Sequence, residues 1–174
     1  MAIYQDSVNV PDQYAQIVTQ LKKYAQDVRF EYIQKRKPNR RRTTGNVAVA
    51  QLLISDQEIV HKVATSKKDP MNRPSNDKRS DGYTGPRQHF HPYANPTQKG
   101  APLNTEHAEY KVLNAIADAL TTIEIEDGAS ATLVLYTEKK MCQACRLVAL
   151  DFEASTKDKF KEFKIVIVWT YPYG

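Results

Sequence analysis

The chain has only two cysteines, Cys142 and Cys145, and two residues separate them. A small disulfide-rich fold needs more cysteines at wider spacing, so this pair indicates a metal site or a redox element. The pair follows an apolar run and opens residues 142–154, a predicted helix whose apolar side chains are expected to pack inward: Leu147, Val148, Leu150 and Phe152. A helix start lets both sulfurs converge on one ion, and the helix dipole favours their thiolate form. The fold must therefore join a strand to a helix at this point.

A second motif, His107-Ala108-Glu109, lies in the first turn of another segment with helical spacing, residues 106–120. Zinc prefers tetrahedral sites of nitrogen and sulfur ligands, and a catalytic site keeps its fourth position for water. Zinc lowers the pKa of that water to ~7, and Glu109, which need not bind the metal, can move the water's proton. The two motifs together predict one catalytic carboxylate, Glu109, and three zinc ligands: His107, Cys142 and Cys145.

Apolar periodicity divides the remaining sequence into helices and strands. It predicts an N-terminal amphipathic helix, a hairpin and two further strands: residues 11–35, 47–54 with 59–64, 131–136, and 164–171. The polar residues 55–58 form the turn of the hairpin. The order of elements favours a single domain, residues 1–174, of the α/β class: a three-layer α-β-α sandwich with a mixed central sheet. The core of this domain that holds the zinc site spans residues 104–155.

Residues 66–106 form a long insertion whose composition differs from the rest of the chain, with six of the nine prolines and three of the six glycines. So long a connection inside a compact domain is usually functional or disordered, and a loop without any binding role is the open alternative. Bases stack on aromatic faces while arginine meets phosphate, so its basic and aromatic residues fit a lid or groove for a single strand. The predicted substrate contacts in this insertion are Ser66, Tyr83, Arg87, His89, Phe90 and Tyr93.

The net charge of +5 is concentrated in one segment, residues 35–42. This segment holds six basic residues and no acidic one, so the remainder of the chain is slightly acidic. Such a cluster suits contact with phosphates or a nuclear-import-like tract, and a solvated linker is the equally open alternative. The charge pattern fits nucleic acid as a partner without establishing it.

No apolar run reaches the ~18–20 residues of a membrane span, so no membrane partner is expected. The first residues, 1–6, lack the basic and apolar regions of a signal peptide, but a chain cut from a larger secreted protein would lack them too. The cellular location therefore stays open on the sequence.

The two motifs, in this order and on these elements, resemble the cytidine deaminase superfamily over residues 45–171. That superfamily carries His-Ala-Glu on one helix and Pro-Cys-x-x-Cys on the next. The pattern Glu-Tyr-Lys-x-Leu after His-Ala, and Thr-Glu-x-x-x-Cys-x-x-Cys after the third strand, is similar to deaminase toxins of bacterial polymorphic toxin systems. Those are C-terminal toxin domains that edit cytosine in nucleic acid and are neutralised by an immunity protein.

The resemblance implies a cytidine deaminase-like fold, zinc as the cofactor, and a contact between the backbone amide of Ala108 and the carbonyl of the base. A toxin domain of this kind would be secreted or delivered and would act in the cytoplasm of a target cell. The chain departs from the superfamily in two ways. Met141 replaces the proline before the first cysteine. Little sequence follows residues 164–171, so we expect a fifth strand to be missing or supplied by another part of the chain.

The function that follows is hydrolytic deamination of cytosine to uracil in nucleic acid. Single-stranded DNA is favoured because a base in a duplex must first be unstacked. Duplex DNA, RNA and a free nucleoside stay open as substrates. Adenine stays open as the base, since the zinc chemistry does not distinguish C4 of cytosine from C6 of adenine. Two other classes of protein also remain. One is a thioredoxin-like redox protein built on the Cys-x-x-Cys pair, and the other is a nucleic-acid-binding module whose structural zinc takes His89 or His91 as fourth ligand.

Overall fold

The computed structural model describes residues 2–31, 45–66, 88–95, 99–100 and 102–172. The strands in these ranges are β1 (Ala2–Asp6), β2 (Val47–Ile54), β3 (Gln57–Thr65), β4 (Ser130–Lys139) and β5 (Glu162–Tyr171). The α-helices are α1 (Asp12–Arg29), α2 (Ala108–Leu120) and α3 (Gln143–Thr156). Short 3₁₀ turns precede α2 and follow α3, at Asn104–Glu106 and Lys157–Lys159.

The five strands form one mixed sheet in the order β1-β5-β4-β2-β3. Strands β1, β5 and β4 run parallel, whereas β2 is antiparallel to both β4 and β3. Because β2 and β4 are antiparallel, the start of β2 and the end of β4 lie side by side at one end of the strands, where Ala48 pairs with Thr137. The chain leaves β4 at this end and enters α3, so the cysteine pair lies there.

Helices cover both faces of the sheet. Strand β2 shows the alternation that this requires, because successive side chains of a strand point to opposite faces. Val47 and Val49 belong to the cluster that packs on α1, whereas Ala48 and Ala50 belong to the cluster that packs on α2 and α3. The chain is therefore an α/β protein with a mixed sheet, as predicted; the sheet has five strands, and the helices on its two faces fit the three-layer arrangement.

The N-terminal strand β1 was absent from the predicted order of elements. Its five residues pair in parallel with β5, for example Ile3 with Val166, and form one edge of the sheet. The final strand therefore gains its outer neighbour from the opposite end of the sequence, which answers the expectation of a missing or separately supplied fifth strand. The short segment carries too few apolar residues to reveal itself by periodicity alone.

Two predicted boundaries are corrected at turns. The hairpin turn holds only Ser55 and Asp56, both with positive φ, of 50° and 63°, rather than the four residues 55–58. Two such residues are typical of the tight turn whose twist matches that of the flanking strands. Helix α2 begins at Ala108, because a 3₁₀ turn takes up the residues before it.

The helices α1 and α3 also differ in detail from the prediction. Helix α1 ends at Arg29, and the predicted remainder of residues 11–35 beyond residue 31 lies outside the described residues. On α3, Leu147 and Leu150 were expected to pack inward, but they are 36% and 53% exposed. Among the helices of the described ranges, none combines the length and apolar character that crossing a membrane requires.

Candidate metal centre

The two sequence motifs lie at the starts of α2 and α3, which contact each other. His107 is the N-cap of α2 and Cys142 is the N-cap of α3, both with extended backbone angles. Cys145 follows in the first turn of α3 and is fully buried. The first N–H groups of a helix have no acceptor within it, so both helix starts place partial positive charge beside these side chains. That field favours cysteine in its thiolate form.

The three predicted zinc ligands come together in space. Nδ1 of His107 lies 3.3 Å from Sγ of Cys145 and 3.5 Å from Sγ of Cys142. All three ligand atoms lie within 4.8 Å of one another. Bonds of about 2.1 Å to nitrogen and about 2.3 Å to sulfur give a nitrogen–sulfur separation of about 3.5 Å in a tetrahedral zinc site. The residues therefore fit a zinc ion in donor type and in spacing, and three ligands leave a fourth position for water.

The contacts among Cys142, Cys145 and His107 shift the pKa values of these residues. The pKa of Cys142 is lowered to about 4, mainly by the hydrogen bond with Cys145. The contact with His107 also lowers this pKa, whereas burial raises it. Burial raises the pKa of Cys145. The contact with Cys142 raises the pKa of His107. The lowered pKa of Cys142 favours its thiolate, the form in which cysteine binds metals.

Asn104 supports the metal centre next to Cys145. Its side chain is fully buried. Nδ2 of Asn104 donates to Sγ of Cys145 at 3.5 Å, and Oδ1 accepts the backbone N–H of Tyr93 at 2.8 Å. The backbone N–H of Asn104 in turn donates to the carbonyl of Tyr93 at 3.0 Å. Asn104 therefore stabilises a buried sulfur and fixes residues 88–95 to the metal centre.

Glu109, the predicted catalytic carboxylate, is held inside the protein at 5% exposure. Its Oε1 accepts hydrogen bonds from Nδ2 of Asn46 at 2.9 Å and from Oγ1 of Thr137 at 2.8 Å. Burial raises the pKa of this carboxyl, whereas hydrogen bonds from its own backbone N–H and from Thr137 act to lower it. A buried carboxyl with a raised pKa is suited to take up a proton and return it.

Ser66, a predicted substrate contact, lies beside Asn46 at the edge of this site. Its Oγ accepts the backbone N–H of Asn46 at 2.7 Å, and its own N–H donates to the carbonyl of Asn46 at 2.9 Å. The preceding carbonyl, of Thr65, accepts a hydrogen bond of 2.8 Å from Nζ of Lys111, which is fully buried. These contacts connect the end of β3 to both β2 and α2. Ser66 is therefore a structural partner of Asn46, whatever it contacts besides.

The structure describes three predicted substrate contacts in residues 88–95. His89 is held through Nε2, which lies 3.3 Å from Oδ1 of Asp118. Asp118 follows His107 by eleven residues, about 16 Å along α2, so the imidazole of His89 is held towards the C-terminal end of this helix, while the backbone N–H of His89 donates to Oδ1 of Asn114 at 2.6 Å. This imidazole belongs to the periphery of the site. Tyr83 and Arg87, like the basic segment 35–42, lie outside the described residues.

Phe90 and Tyr93 are both tied to the helices. The ring of Phe90 is 7% exposed and packs against the ring of Phe152, with centroids 5.7 Å apart. The hydroxyl of Tyr110 donates to the carbonyl of Phe90 at 2.8 Å. The hydroxyl of Tyr93 donates to Oδ2 of Asp151 at 2.6 Å. Phe90 therefore belongs to the core, and Tyr93 is the more accessible ring of the two.

A surface cavity of about 520 Å³ lies beside these residues. Its lining combines the C-terminal parts of α2 and α3 with the segment that crosses them, and includes Leu120, Thr121, Ser155, Thr156 and His91. The metal ligands lie at the opposite, N-terminal ends of the same helices. The cavity is thus separate from the metal centre.

Three polar residues of the site were not singled out from the sequence: Asn46, Asn104 and Thr137. Each contacts a predicted site residue that is far away in the sequence, so these contacts exist only in the folded protein. Asn46 precedes a strand, where it reads as a turn residue. Thr137 ends a strand, where a β-branched residue is ordinary. Asn104 precedes a helix, where asparagine is a common cap.

Comparison with known proteins adds no family to this description. No protein-family model matches the chain, and neither the curated proteins nor the solved structures give a match. The case for a function therefore rests on the residues and their geometry.

Proposed function

We propose that this protein is a zinc-dependent cytosine deaminase with a cytidine deaminase-like fold, which converts cytosine to uracil in nucleic acid. One observation carries the proposal: among the described residues, His107, Cys142 and Cys145 form a group whose donor atoms fit a zinc ion, and the buried, hydrogen-bonded carboxylate of Glu109 follows His107 by two residues. A metal site with three protein ligands and an adjacent proton carrier is the arrangement that hydrolytic deamination requires.

The reaction exchanges the amino group of cytosine for oxygen from water and releases ammonia. A bound zinc ion supplies a water of lowered pKa and so a nucleophile at neutral pH. Glu109 would take the two protons of the attacking water in turn, passing one to the ring nitrogen and the other to the amine, which leaves as ammonia. The N–H of Ala108, at the first position of α2, is free of helical acceptors and is the donor that we assign to the carbonyl of the base.

The redox alternative accounts for fewer of these features. A thioredoxin-like pair needs the two thiols and their lowered pKa, but it does not need an imidazole at 3.3 and 3.5 Å from the sulfurs. It also gives no role to the buried Glu109. Stoichiometric zinc in the purified protein would exclude this alternative.

The structural-zinc alternative requires a fourth protein ligand, since such sites are normally closed. Among the described residues, the metal-binding group holds three members, and neither His89 nor His91 is one of them. His89 is instead engaged by Asp118 along α2. An open coordination position favours a catalytic site.

Single-stranded DNA is the substrate that we favour. The supporting features are the basic segment 35–42, which suits phosphates, and the aromatic residue Tyr93, whose backbone N–H is held by Asn104 beside the metal centre. Tyr93 and His89 would contact nucleotides flanking the target base, because the target itself must reach the metal. As in the toxins that the motifs resemble, such a domain would act in a target cell and be neutralised by an immunity protein.

The experiment that tests the substrate offers cytosine in five forms: single-stranded DNA, duplex DNA, single-stranded RNA, duplex RNA and free cytidine. Conversion is read by sequencing for the nucleic acids and by mass spectrometry for cytidine, with adenine conversion scored in the same samples. We expect uracil foremost in single-stranded DNA, with a rate that falls as salt rises because phosphate contacts release counterions. The Cys145→Ser variant, which lacks one ligand, is the matched control and should be inactive. Conversion of free cytidine alone would contradict a nucleic-acid substrate.

A further inference from the structure

A closed triangle of hydrogen bonds joins Asn46, Thr137 and Glu109. Nδ2 of Asn46 donates to Oε1 of Glu109 at 2.9 Å and to Oγ1 of Thr137 at 2.8 Å. Oγ1 of Thr137 donates to the same Oε1 at 2.8 Å. The three residues come from the start of β2, the end of β4 and the first turn of α2, and all three are buried. The triangle therefore joins three elements at the carboxylate.

The directions of these bonds are fixed by counting hydrogens. The backbone N–H of Lys139 donates to Oδ1 of Asn46 at 3.1 Å, so the amide must present its NH₂ group to the triangle. That group then donates to both Thr137 and Glu109. The threonine hydroxyl accepts from the amide and keeps its single hydrogen for Glu109, at 2.8 Å, in preference to the carbonyl of Lys139, at 3.1 Å.

Two donors therefore end on one carboxylate oxygen. Both side-chain hydrogen bonds that Glu109 receives from the described residues reach Oε1, which acts as an acceptor in each. A proton placed on Oε1 would face two donors and displace one of them. Oε1 is thus the oxygen that the two side chains hold, and Oε2, which accepts neither of these bonds, is the oxygen that we assign to proton exchange.

We propose that Thr137 and Asn46 are positioning residues that clamp Oε1 of Glu109 and so reserve Oε2 for proton transfer with water and base. This inference rests on the proposed function. Proton transfer requires the carboxylate to lie within hydrogen-bond reach of its partner, and displacement by about 1 Å lowers such rates by about a hundredfold. Hydrogen bonds to an ionised group are the strong ones, so two of them can hold a flexible side chain in one orientation.

The test compares Thr137→Val with Thr137→Ser. Valine keeps the shape of threonine but removes the hydroxyl, whereas serine keeps the hydroxyl. We expect Thr137→Val to lower kcat by about 10- to 100-fold with KM changed less than about twofold, since the interaction is with the proton carrier rather than with substrate. We expect Thr137→Ser to restore kcat to within about threefold of the wild-type value. Each sample should keep one zinc per chain.

A second readout is independent of activity. Crystal structures of the zinc-loaded proteins should show Glu109 in one conformation in the wild type and in Thr137→Ser, and displaced or in two conformations in Thr137→Val. If Thr137→Val does not fold, Asn46→Asp serves instead: it sets an acceptor against Oε1, and like acceptors should drive Glu109 out of its position. An unmoved Glu109 together with unchanged kcat in the folded variant would overturn the clamp. A wild-type protein that forms no uracil would overturn the proposed function itself, which is a separate result.

Discussion

The guanidinium of Arg29 and the carboxylate of Glu138 form a buried ion pair with two hydrogen bonds, of 2.7 and 2.6 Å, between residues 109 positions apart in sequence. Oε1 of Glu138 also accepts the backbone N–H of Val47 at 2.9 Å. Nη2 of Arg29 donates to the carbonyl of Gly45 at 3.2 Å. The pair thus ties the end of α1 to the start of β2 and the end of β4, next to the residues that hold Glu109.

Removal of one partner of this pair should destabilise the protein strongly. Arg29→Met leaves the carboxylate of Glu138 buried without its counter-charge, which costs about 3–5 kcal/mol of unfolding free energy. Urea denaturation followed by circular dichroism measures it. Lys23→Met, on an exposed position of the same helix, is the control and should change stability by less than about 0.5 kcal/mol. A cost below about 1 kcal/mol for Arg29→Met would show that the pair is not buried in solution.

Two neighbouring positions of α3 should differ sharply in their tolerance of alanine. Phe152 is fully buried between the rings of Phe90 and Phe163, with centroids 5.7 and 5.9 Å away. Phe152→Ala should cost about 3–5 kcal/mol in the same denaturation assay because it leaves a cavity. Leu150→Ala, at a side chain 53% exposed, should cost less than about 1 kcal/mol. Equal costs would contradict the assigned face of the helix.

The edge strand β1 should protect β5 from association. A variant lacking residues 1–6 exposes the backbone of β5 over Ile165–Trp169, which is paired with β1 in the intact chain. An unpaired apolar edge is a template for aggregation, so we expect a lower melting temperature and rising light scattering on incubation. The control is Val8→Ser, just beyond the strand and 88% exposed, which should behave as the wild type. A truncated protein that stays monomeric and equally stable would rule out this role.

Alkaline pH should destabilise the fold through two buried tyrosines. Burial raises the pKa of Tyr110 and of Tyr136 to about 12. The unfolded chain releases these protons near pH 10 while the folded chain retains them, so stability is lost as pH rises from about 10 to about 12. Each tyrosine contributes a slope of at most about 1.4 kcal/mol per pH unit, and between pH 10 and pH 11, where the unfolded tyrosine is only partly ionised, about 1 kcal/mol. Tyr136→Phe should reduce the slope between pH 10 and pH 11 by about this amount, measured by urea denaturation; an unchanged slope would contradict the shift.

The local part of the site could be predicted from sequence because its chemistry sits in short motifs. The spacing of Cys142 and Cys145, and of His107 and Glu109, fixes which side chains share a helix start. The three predicted zinc ligands therefore lie close together in the folded protein, as expected. Apolar periodicity likewise identified three helices and four of the five strands, since those segments are long enough to carry a period.

The remaining features depend on contacts between distant parts of the chain. Strand β1 is defined by pairing with β5, more than 150 residues away, and its own five residues carry little pattern. The sequence pattern did not distinguish the buried apolar residues of α3 from the exposed Leu147 and Leu150, because it does not say how much of the helix the rest of the protein covers. Asn46 and Thr137 are assigned a role because both bind the carboxylate of Glu109, which is distant from each of them in the sequence.

The central claim is that a zinc site and Glu109 together deaminate cytosine. The most direct measurement follows uracil formation in a single-stranded DNA oligonucleotide by the wild type and by Glu109→Ala, with zinc content determined on the same samples. We predict one zinc per chain in both proteins, uracil with the wild type, and none above background with Glu109→Ala. Uracil formation by Glu109→Ala at the wild-type rate, or a wild-type protein without zinc, would contradict the account.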